Sequence, residues 1–330
     1  MKLSHWFRLH LPQVWLRRGP IASILWPLSW LYGGLTALRN LAYRLGLSPT
    51  HRLPALVIVV GNVVAGGAGK TPMTIALVKH LMAQGLRVGV ISRGHGRQTR
   101  NTRAVTADSL PQDVGDEPLL IHQSTGAPVW VGALRAAAGL ELLKAHPDVQ
   151  VLVCDDGLQH LALARDIEIC VMDERGVGNG WLLPAGPLRE TWPRTVDLLV
   201  HTGSSSVTGG FQAHRQLADH ALTCDGQEVP LACLKNQPLQ AVAGLARPEA
   251  FFEMLRQSGL QLSTTLALPD HHDYSDWPSA TPGCTWLCTE KDAAKLWPHE
   301  PTALAVPLQV SPESRFWEAL DALVAQRLQR

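Results

Sequence analysis

The chain has 330 residues, of which 46% are hydrophobic and 17% charged. That is ample for a buried core, suggests roughly two domains and excludes a wholly disordered chain. Lys plus Arg number 29 against 28 Asp plus Glu, a net charge of +1, so no large positive field is on offer to nucleic acid. The six cysteines form no C-x-x-C and stand at no zinc-finger spacing, which predicts reduced thiols.

From Gly19 to Leu38 run twenty consecutive uncharged residues, long enough for a helix to cross a bilayer core of about 30 Å. Pro27, Gly33 and Gly34 interrupt the run, and Arg17, Arg18, Arg39 and Arg44 flank it on both sides. It is too long for a cleaved signal peptide, and no small-residue cleavage site follows it. A span that kept the rest of the chain in the cytoplasm would place Lys2, Arg8, Arg17 and Arg18 outside, against the positive-inside tendency. Trp6, Trp15, Trp26 and Trp30 suit headgroup depth, where the ring is buried and the N–H stays wet. Residues 1–50 are therefore expected to form an amphipathic or shallowly inserted anchor at a membrane surface. A full span and a soluble helical hairpin packed on the body are the alternatives.

Leu56-Val57-Ile58-Val59-Val60 reads as a strand buried on both faces of a parallel sheet. It leads into Gly61-Asn62-Val63-Val64-Ala65-Gly66-Gly67-Ala68-Gly69-Lys70-Thr71-Pro72, and an apolar helix is expected from Thr71 to about Gln84, stopped by Gly85. Pro72 is tolerated in a first helical turn. Strand, glycine-rich loop, Lys-Thr and helix together make a P-loop. The stretch from Gly66 through Pro72 would bind the nucleotide: backbone N–H groups of Gly66, Gly67, Ala68, Gly69, Lys70 and Thr71 would cradle phosphates, Lys70 would reach the β- and γ-phosphates and the Thr71 hydroxyl would bind Mg²⁺. The strict G-x-x-x-x-G-K-[ST] pattern is not met, because Val64 holds the first-glycine position.

Further strands are expected at Arg87–Ile91, Pro128–Val131, Val149–Cys154, Ile167–Met172 and Val196–Val200, a spacing that suits βαβ units and a doubly wound sheet. Ligands in such sheets collect at the strand C-termini. There stand Ser92-Arg93-Gly94-His95-Gly96-Arg97 and the acidic pair Asp155-Asp156, the latter in a Walker-B arrangement in which one carboxylate holds Mg²⁺ directly or through water. Gly115-Asp116-Glu117-Pro118 offers two more carboxylates, readable in isolation as a helix N-cap. The Gly/Ser-rich stretch 203–210 reads as the end of a P-loop ATP-binding domain at 51–210. A smaller α/β lobe is expected over 211–330, with strands at Ala241–Ala246, Thr264–Leu268, Thr285–Cys288 and Ala303–Val306 and a helix at Pro248–Gln257. A closing helix, Pro312 to Gln329, is placed to pack back across the boundary. The expected fold is α/β: a P-loop NTPase-like, doubly wound, mostly parallel sheet with a smaller C-terminal α/β lobe and an N-terminal membrane-associated helical segment.

Seven blocks resemble the tetraacyldisaccharide 4′-kinase family, the lipid A 4′-kinases of Gram-negative bacteria: GNVVAGGAGKTP (61–72), SRGHGR (92–97), GDEPLL (115–120), DDGLQH (155–160), GNGWLLPAGPLRE (178–190), PDHHDY (269–274) and TEKDAAKL (289–296). The resemblance implies ATP- and Mg²⁺-dependent phosphorylation of a sugar hydroxyl on a lipid-anchored, acylated glucosamine disaccharide, at the cytoplasmic face of the bacterial inner membrane. It implies no nucleic-acid partner and leaves the oligomeric state open. Asp116 resembles the family's general base, working with a histidine of the PDHH block, here taken as His271 rather than His272. Thr71, Asp156 and Glu190 are the candidates for the Mg²⁺ sphere, supported by Asp155, Glu117 and His160, with Arg189 and then Arg93 as phosphate-reaching cations. Two positions depart from the family pattern. His95 stands where an aromatic residue is usual, and Trp181 where a basic residue is frequent.

Two rival readings follow from the same residues. A regulatory GTPase needs Asn/Thr-Lys-x-Asp, which Thr289-Glu290-Lys291-Asp292 imitates with the wrong spacing. A membrane-recruited binding protein with a dead nucleotide site conflicts with an intact Lys70-Thr71 and several spare carboxylates.

Overall fold

The five apolar residues that open the first strand alternate between two helical layers, and the sheet grows from that strand outward. The computed structural model describes residues 11, 13–67, 69–203, 207, 209–277 and 284–329; Trp6, Lys2, Arg8 and Ala68 lie outside them. In β1 (Leu56–Gly61) every residue is buried. Leu56, Ile58 and Val60 pack under α2 (Lys70–Ala83), whereas Val57 and Val59 belong to the core on the opposite face. That period-two split is what burial on both faces requires of a strand. β1 pairs in parallel with β5 (Val151–Asp155) on one side and β6 (Ile167–Met172) on the other. Beyond β5 lie β2 (Val88–Ser92), β4 (Val129–Val131) and an antiparallel edge strand, β3 (Arg103–Val105). After the short α3 (Pro111–Val114), helices α4 (Asp116–Thr125) and α5 (Arg135–Ala145) complete the two layers on opposite faces. α2 ends at Ala83, and Gly85 just beyond it takes a φ of +83° that lets the chain turn back.

The first sheet does not stop at residue 210. β7 (Leu198–His201) is followed by β8 (Phe211–Leu217), which adds in parallel to it, and β15 (Leu308–Pro312) closes the edge antiparallel to β8, giving nine strands in the order 15-8-7-6-1-5-2-4-3. The expected closing helix accordingly starts later than Pro312, which is still strand and sits on the sheet edge where its missing N–H costs nothing. The helix α8 (Ser314–Leu328) then packs Phe316, Leu320 and Val324 into the first core. The second sheet therefore occupies the insert between β8 and β15. β9 (His220–Leu222), β10 (Glu228–Pro230), β11 (Leu239–Ala243), β12 (Leu262–Ala267), β13 (Thr285–Thr289) and β14 (Leu304–Val306) form it in the order 10-9-14-13-11-12. Strands 11 to 14 run parallel, with α6 (Pro248–Gln257) and α7 (Glu290–Leu296) as crossovers. The expected strand Ala241–Ala246 begins two residues earlier and ends at Ala243, because Gly244 leaves the ladder: its N–H donates to Asp292 and its carbonyl accepts from His271 N. Because Phe316 is fully buried edge-to-face against Phe211, Phe316→Ala is expected to lower the unfolding free energy by about 3–5 kcal/mol. A shifted urea midpoint at unchanged slope is the measurement.

The apolar N-terminal run forms one helix, α1 (Pro20–Arg44), long and apolar enough to cross a membrane. Among the described residues, one stripe of it packs on the body. Ala22, Trp26, Ser29 and Gly33 recur at helical spacing. Ser29 Oγ donates to Leu182 O and accepts from Ala185 N, Trp26 meets Trp181 at 6.0 Å between ring centroids, and Gly33 lies against Leu182. Further along, Tyr32 donates to Arg189 O and Arg39 to Gln159 O. A second stripe, Ile24, Leu28, Leu31, Leu35 and Leu38, is exposed by 53–76%. Trp15 donates its indole N–H to Pro184 O.

Candidate active site

Hydrogen bonds to the block 178–190 set the P-loop's path. Val64 forms an isolated bridge with Leu188, Arg189 N donates to Val63 O and Ala65 N donates to Pro187 O. Val64 is buried there. A β-bridged, buried position suits valine better than glycine, which accounts for the atypical first-glycine position. Gly66 and Gly69 take φ of +95° and +77°, and Gly69 caps α2 in the left-handed region that glycine enters without strain. Lys70 and Thr71 open the helix, both nearly buried. Sequence reasoning missed Arg175. Paired with buried Asp173, it donates to Gly67 O (2.7 Å) and Ala65 O (3.4 Å), and so holds the loop from outside. Nothing in the sequence singles out this residue.

At the end of β5 the acidic pair divides. Asp155 turns inward and accepts from Thr74 Oγ1 at 2.9 Å, while its Oδ2 is buried with no hydrogen-bond partner among the described residues. Burial, then the charges of Glu117 and Asp156, push its carboxyl up to about 7. Asp156, at φ +47°, accepts two contacts from Arg189 Nη1 (3.0 and 3.1 Å) and lies 3.8 Å from Lys70 Nζ. Burial alone would raise its carboxyl, but the Lys70 and Arg189 charges outweigh that and lower it. Arg135, also missed by the sequence reading, is buried with its guanidinium against Asp156 O at 3.5 Å. Glu190 is held by Gln159 (2.7 Å) and Arg194 (3.1 Å), and the same Gln159 amide donates to Asn62 O beside the P-loop. His160 is pushed down to about 4, first by burial and then by Arg135, Arg165, Arg39 and Arg93, so it is neutral at pH 7. Arg93 itself is exposed.

The third element is built between the lobes. Asp116 opens α4 after Gly115, whose φ is +94°. Gly115 and Gly94 back onto each other so closely that a Cβ on Gly115 would lie 3.0 Å from Gly94 Cα, and one on Gly94 2.5 Å from Val114 O. That close approach ties the SRGHGR loop to the GDEP loop. From the second lobe His271, at φ +64°, sets its Nδ1 2.9 Å from Asp116 Oδ2, while His272 Nδ1 accepts from Tyr274 N. Lys295, to which the sequence assigned no role, places Nζ 2.9 Å from the same Asp116 oxygen. Burial raises the Asp116 carboxyl, yet the His271 hydrogen bond and the Lys295 charge prevail and hold it below its usual value, ionised at neutral pH. Glu117, next along α4, is near enough for its charge to act on Asp155, which links this interlobe cluster to the P-loop side of the site. His95 packs its ring at 5.5 Å from that of His271, and Trp181 takes Arg18 over its face at 5.2 Å. Thr289 and Asp292, the imitation guanine motif, cap α7: the Thr289 hydroxyl accepts from Asp292 N and donates to its carboxylate. All six cysteines are free.

Comparisons with known proteins agree over nearly the whole chain. A family model described as tetraacyldisaccharide-1-P 4′-kinase matches residues 21–325. A protein named tetraacyldisaccharide 4′-kinase from Acidovorax sp. (strain JS42) is 57% identical over 314 residues, covering 94% of this chain and 93% of its own. One of the same name from Polaromonas naphthalenivorans (strain CJ2) is 54% identical over 325 residues, covering 96% and 95%. The crystal structure of LpxK from Aquifex aeolicus in complex with ATP superposes with a TM-score of 0.81 at 31% identity, over 93% of this chain and 99% of that one.

Proposed function

The chain belongs to the tetraacyldisaccharide-1-P 4′-kinase family, and from that membership we propose that it transfers the γ-phosphoryl group of ATP to the 4′-hydroxyl of a tetraacylated glucosamine disaccharide 1-phosphate, a step of lipid A synthesis. The acceptor oxygen bonds to the γ-phosphorus, the bond to the β–γ bridging oxygen breaks, ADP leaves and the hydroxyl proton passes to Asp116. The observation that carries this reading is the Asp116–His271 pair at 2.9 Å, an ionised carboxylate shared between a P-loop domain and a second lobe. Phosphoryl transfer asks the protein mainly for positioning and charge neutralisation, and a base within hydrogen-bond reach eases loss of the acceptor proton. Lys70 supplies the cation for the β- and γ-phosphates, and backbone N–H groups of the loop from Gly66 to Thr71 cradle them.

The donor set suits Mg²⁺. The unpartnered, buried Asp155 Oδ2 beside the charges of Glu117 and Asp156 is what a hard divalent cation relieves. Thr71, Asp156 and Asp155 would hold the ion, with Glu117 nearby; Glu190 would have to leave Arg194 and Gln159 to join them. Bound there, Mg²⁺ neutralises phosphate charge. Purified protein with labelled ATP, Mg²⁺ and the tetraacylated disaccharide 1-phosphate in detergent is expected to yield a single new phosphate at the 4′ oxygen. ATP hydrolysis with no labelled lipid would overturn the reading.

The acceptor's acyl chains put the reaction at a membrane, here proposed to be the cytoplasmic face of the bacterial inner membrane. Hydrogen bonds from Ser29, Tyr32 and Arg39 fasten α1 along its length to the P-loop domain. The opposite leucine stripe is left outward. A helix so fastened suits lying in the interface more than crossing it. Trp30 is 68% and Leu31 63% exposed. Trp30→Ser with Leu31→Ser is expected to remove about 3 kcal/mol of membrane affinity, roughly 10²-fold in partitioning. The ATP dissociation constant should not change. Vesicle flotation and nucleotide titration read the two halves; unaltered flotation would remove this face from the membrane contact.

A further inference from the structure

We infer that Lys295 is a positioning residue for phosphoryl transfer: together with His271 it takes one oxygen of Asp116, so that the carboxylate meets the acceptor hydroxyl through the other. The inference rests on the reading of Asp116 as the base. Both donors approach Oδ2, at 2.9 Å each, and no described residue hydrogen-bonds Oδ1. A carboxylate gripped on one oxygen by two donors cannot rotate without breaking two charge-assisted bonds. The Lys295 side chain is 10% exposed and that of Asp116 9%, so water competes little for either bond.

The geometry of α7 makes this a built arrangement. Lys291 and Lys295 stand one turn apart on the same helix face. Lys291 Nζ holds Asp270 Oδ1 at 2.9 Å, and that same carboxylate oxygen lies 3.8 Å from His271 Nε2. One helix thus grips both ends of the row Asp116–His271–Asp270. α7 is in turn fixed to the loop bearing His271. Asp292 accepts from Gly244 N at 3.0 Å, and Gly244 O accepts from His271 N at 3.4 Å. α7 packs against α4, the helix that begins with Asp116. The base therefore sits on the first lobe and both of its holders on the second, so the carboxylate is oriented only when the lobes are together.

The test is steady-state kinetics on the full chain with Lys295→Met, Lys295→Gln and Lys295→Arg, each alone and with Asp116→Asn, at temperatures well below each variant's melting point. Lys295→Met is expected to lower kcat about 10- to 100-fold, the scale of a misplaced reacting group, with KM for both substrates little changed. Lys295→Gln keeps a donor of nearly the same reach and Lys295→Arg keeps the charge; both should recover part of the loss, and they carry the test if Lys295→Met does not fold. In the Asp116→Asn background, Lys295→Met should lower kcat no further. An unchanged kcat in Lys295→Met, a raised acceptor KM at preserved kcat, or a full additional loss in the Asp116→Asn background would each overturn the inference. An Asp116→Asn enzyme with normal kcat would instead show that the base reading has failed, independently of Lys295.

Discussion

Lys70→Ala is expected to reduce kcat/KM by on the order of 10³-fold or more, about 4 kcal/mol of transition-state stabilisation, while the protein stays folded. The size follows from position. Lys70 is the first residue of α2, its side chain 10% exposed. Arg175 also reaches the loop, but its guanidinium is engaged by Asp173 and by the carbonyls of Ala65 and Gly67. The negative charge that spreads over the γ-phosphoryl oxygens would lose a fixed counter-charge in a site where water screens poorly. Folding should survive because the carboxylate nearest Lys70 has another partner: Arg189 makes both of its short contacts to Asp156, whereas Lys70 stands off at 3.8 Å. A circular-dichroism melt close to that of the parent protein, beside a collapsed turnover, is the expected pair of results. Near-normal kcat in folded Lys70→Ala protein would remove the P-loop assignment.

What could be read from the chain beforehand followed the range of the interaction concerned. β1 and the P-loop were legible because a β-branched run, a glycine loop and an apolar helix are contiguous, each dictated by local backbone chemistry. The strand Ile167–Met172 and the helix Pro248–Gln257 come out at the expected residues for the same reason. The junction near residue 210 did not, because β8 finds its antiparallel partner at 308–312, and a pairing across about ninety residues leaves no local mark. Within the site, Asp116 and His271 were reached through a family resemblance; spacing alone does not pair residues 155 apart. Lys295 had a signal, since Lys291 and Lys295 are four apart in a block already singled out. Its partner lies on the other lobe, however, and helical spacing shows only that two side chains share a face. Arg175 had none. Its task is to hold carbonyl oxygens of Ala65 and Gly67, and backbone acceptors carry no sequence identity.

Asp116→Asn is expected to lower kcat about 10²- to 10⁴-fold, the usual cost of losing a general base, with KM for ATP nearly unchanged. Asparagine keeps the shape and one carbonyl oxygen, but its amide cannot take the acceptor proton. ATP affinity should persist because Asp116 opens α4, whereas the phosphate cradle belongs to the β1–α2 loop. The substitution also strips His271 and Lys295 of their shared carboxylate, and Lys295 is left almost buried without its counter-charge. Removing one member of such a pair is costly, on the order of 3–5 kcal/mol when fully buried, so a lower melting temperature should accompany the kinetic loss. The pH dependence of that difference has a definite sign. The folded-state carboxyl of Asp116 lies below its ordinary value, so its contribution to stability is complete above the unfolded-state value of about 4 and is lost as pH falls through the lower folded value. The stability gap between the parent protein and Asp116→Asn should therefore be widest near neutral pH and narrow in acid, as urea titrations across that range would measure. A gap that widened on acidification would contradict an ionised, ion-paired Asp116. Nucleotide binding that collapsed while kcat was spared would reassign the residue from proton acceptor to the nucleotide or metal site.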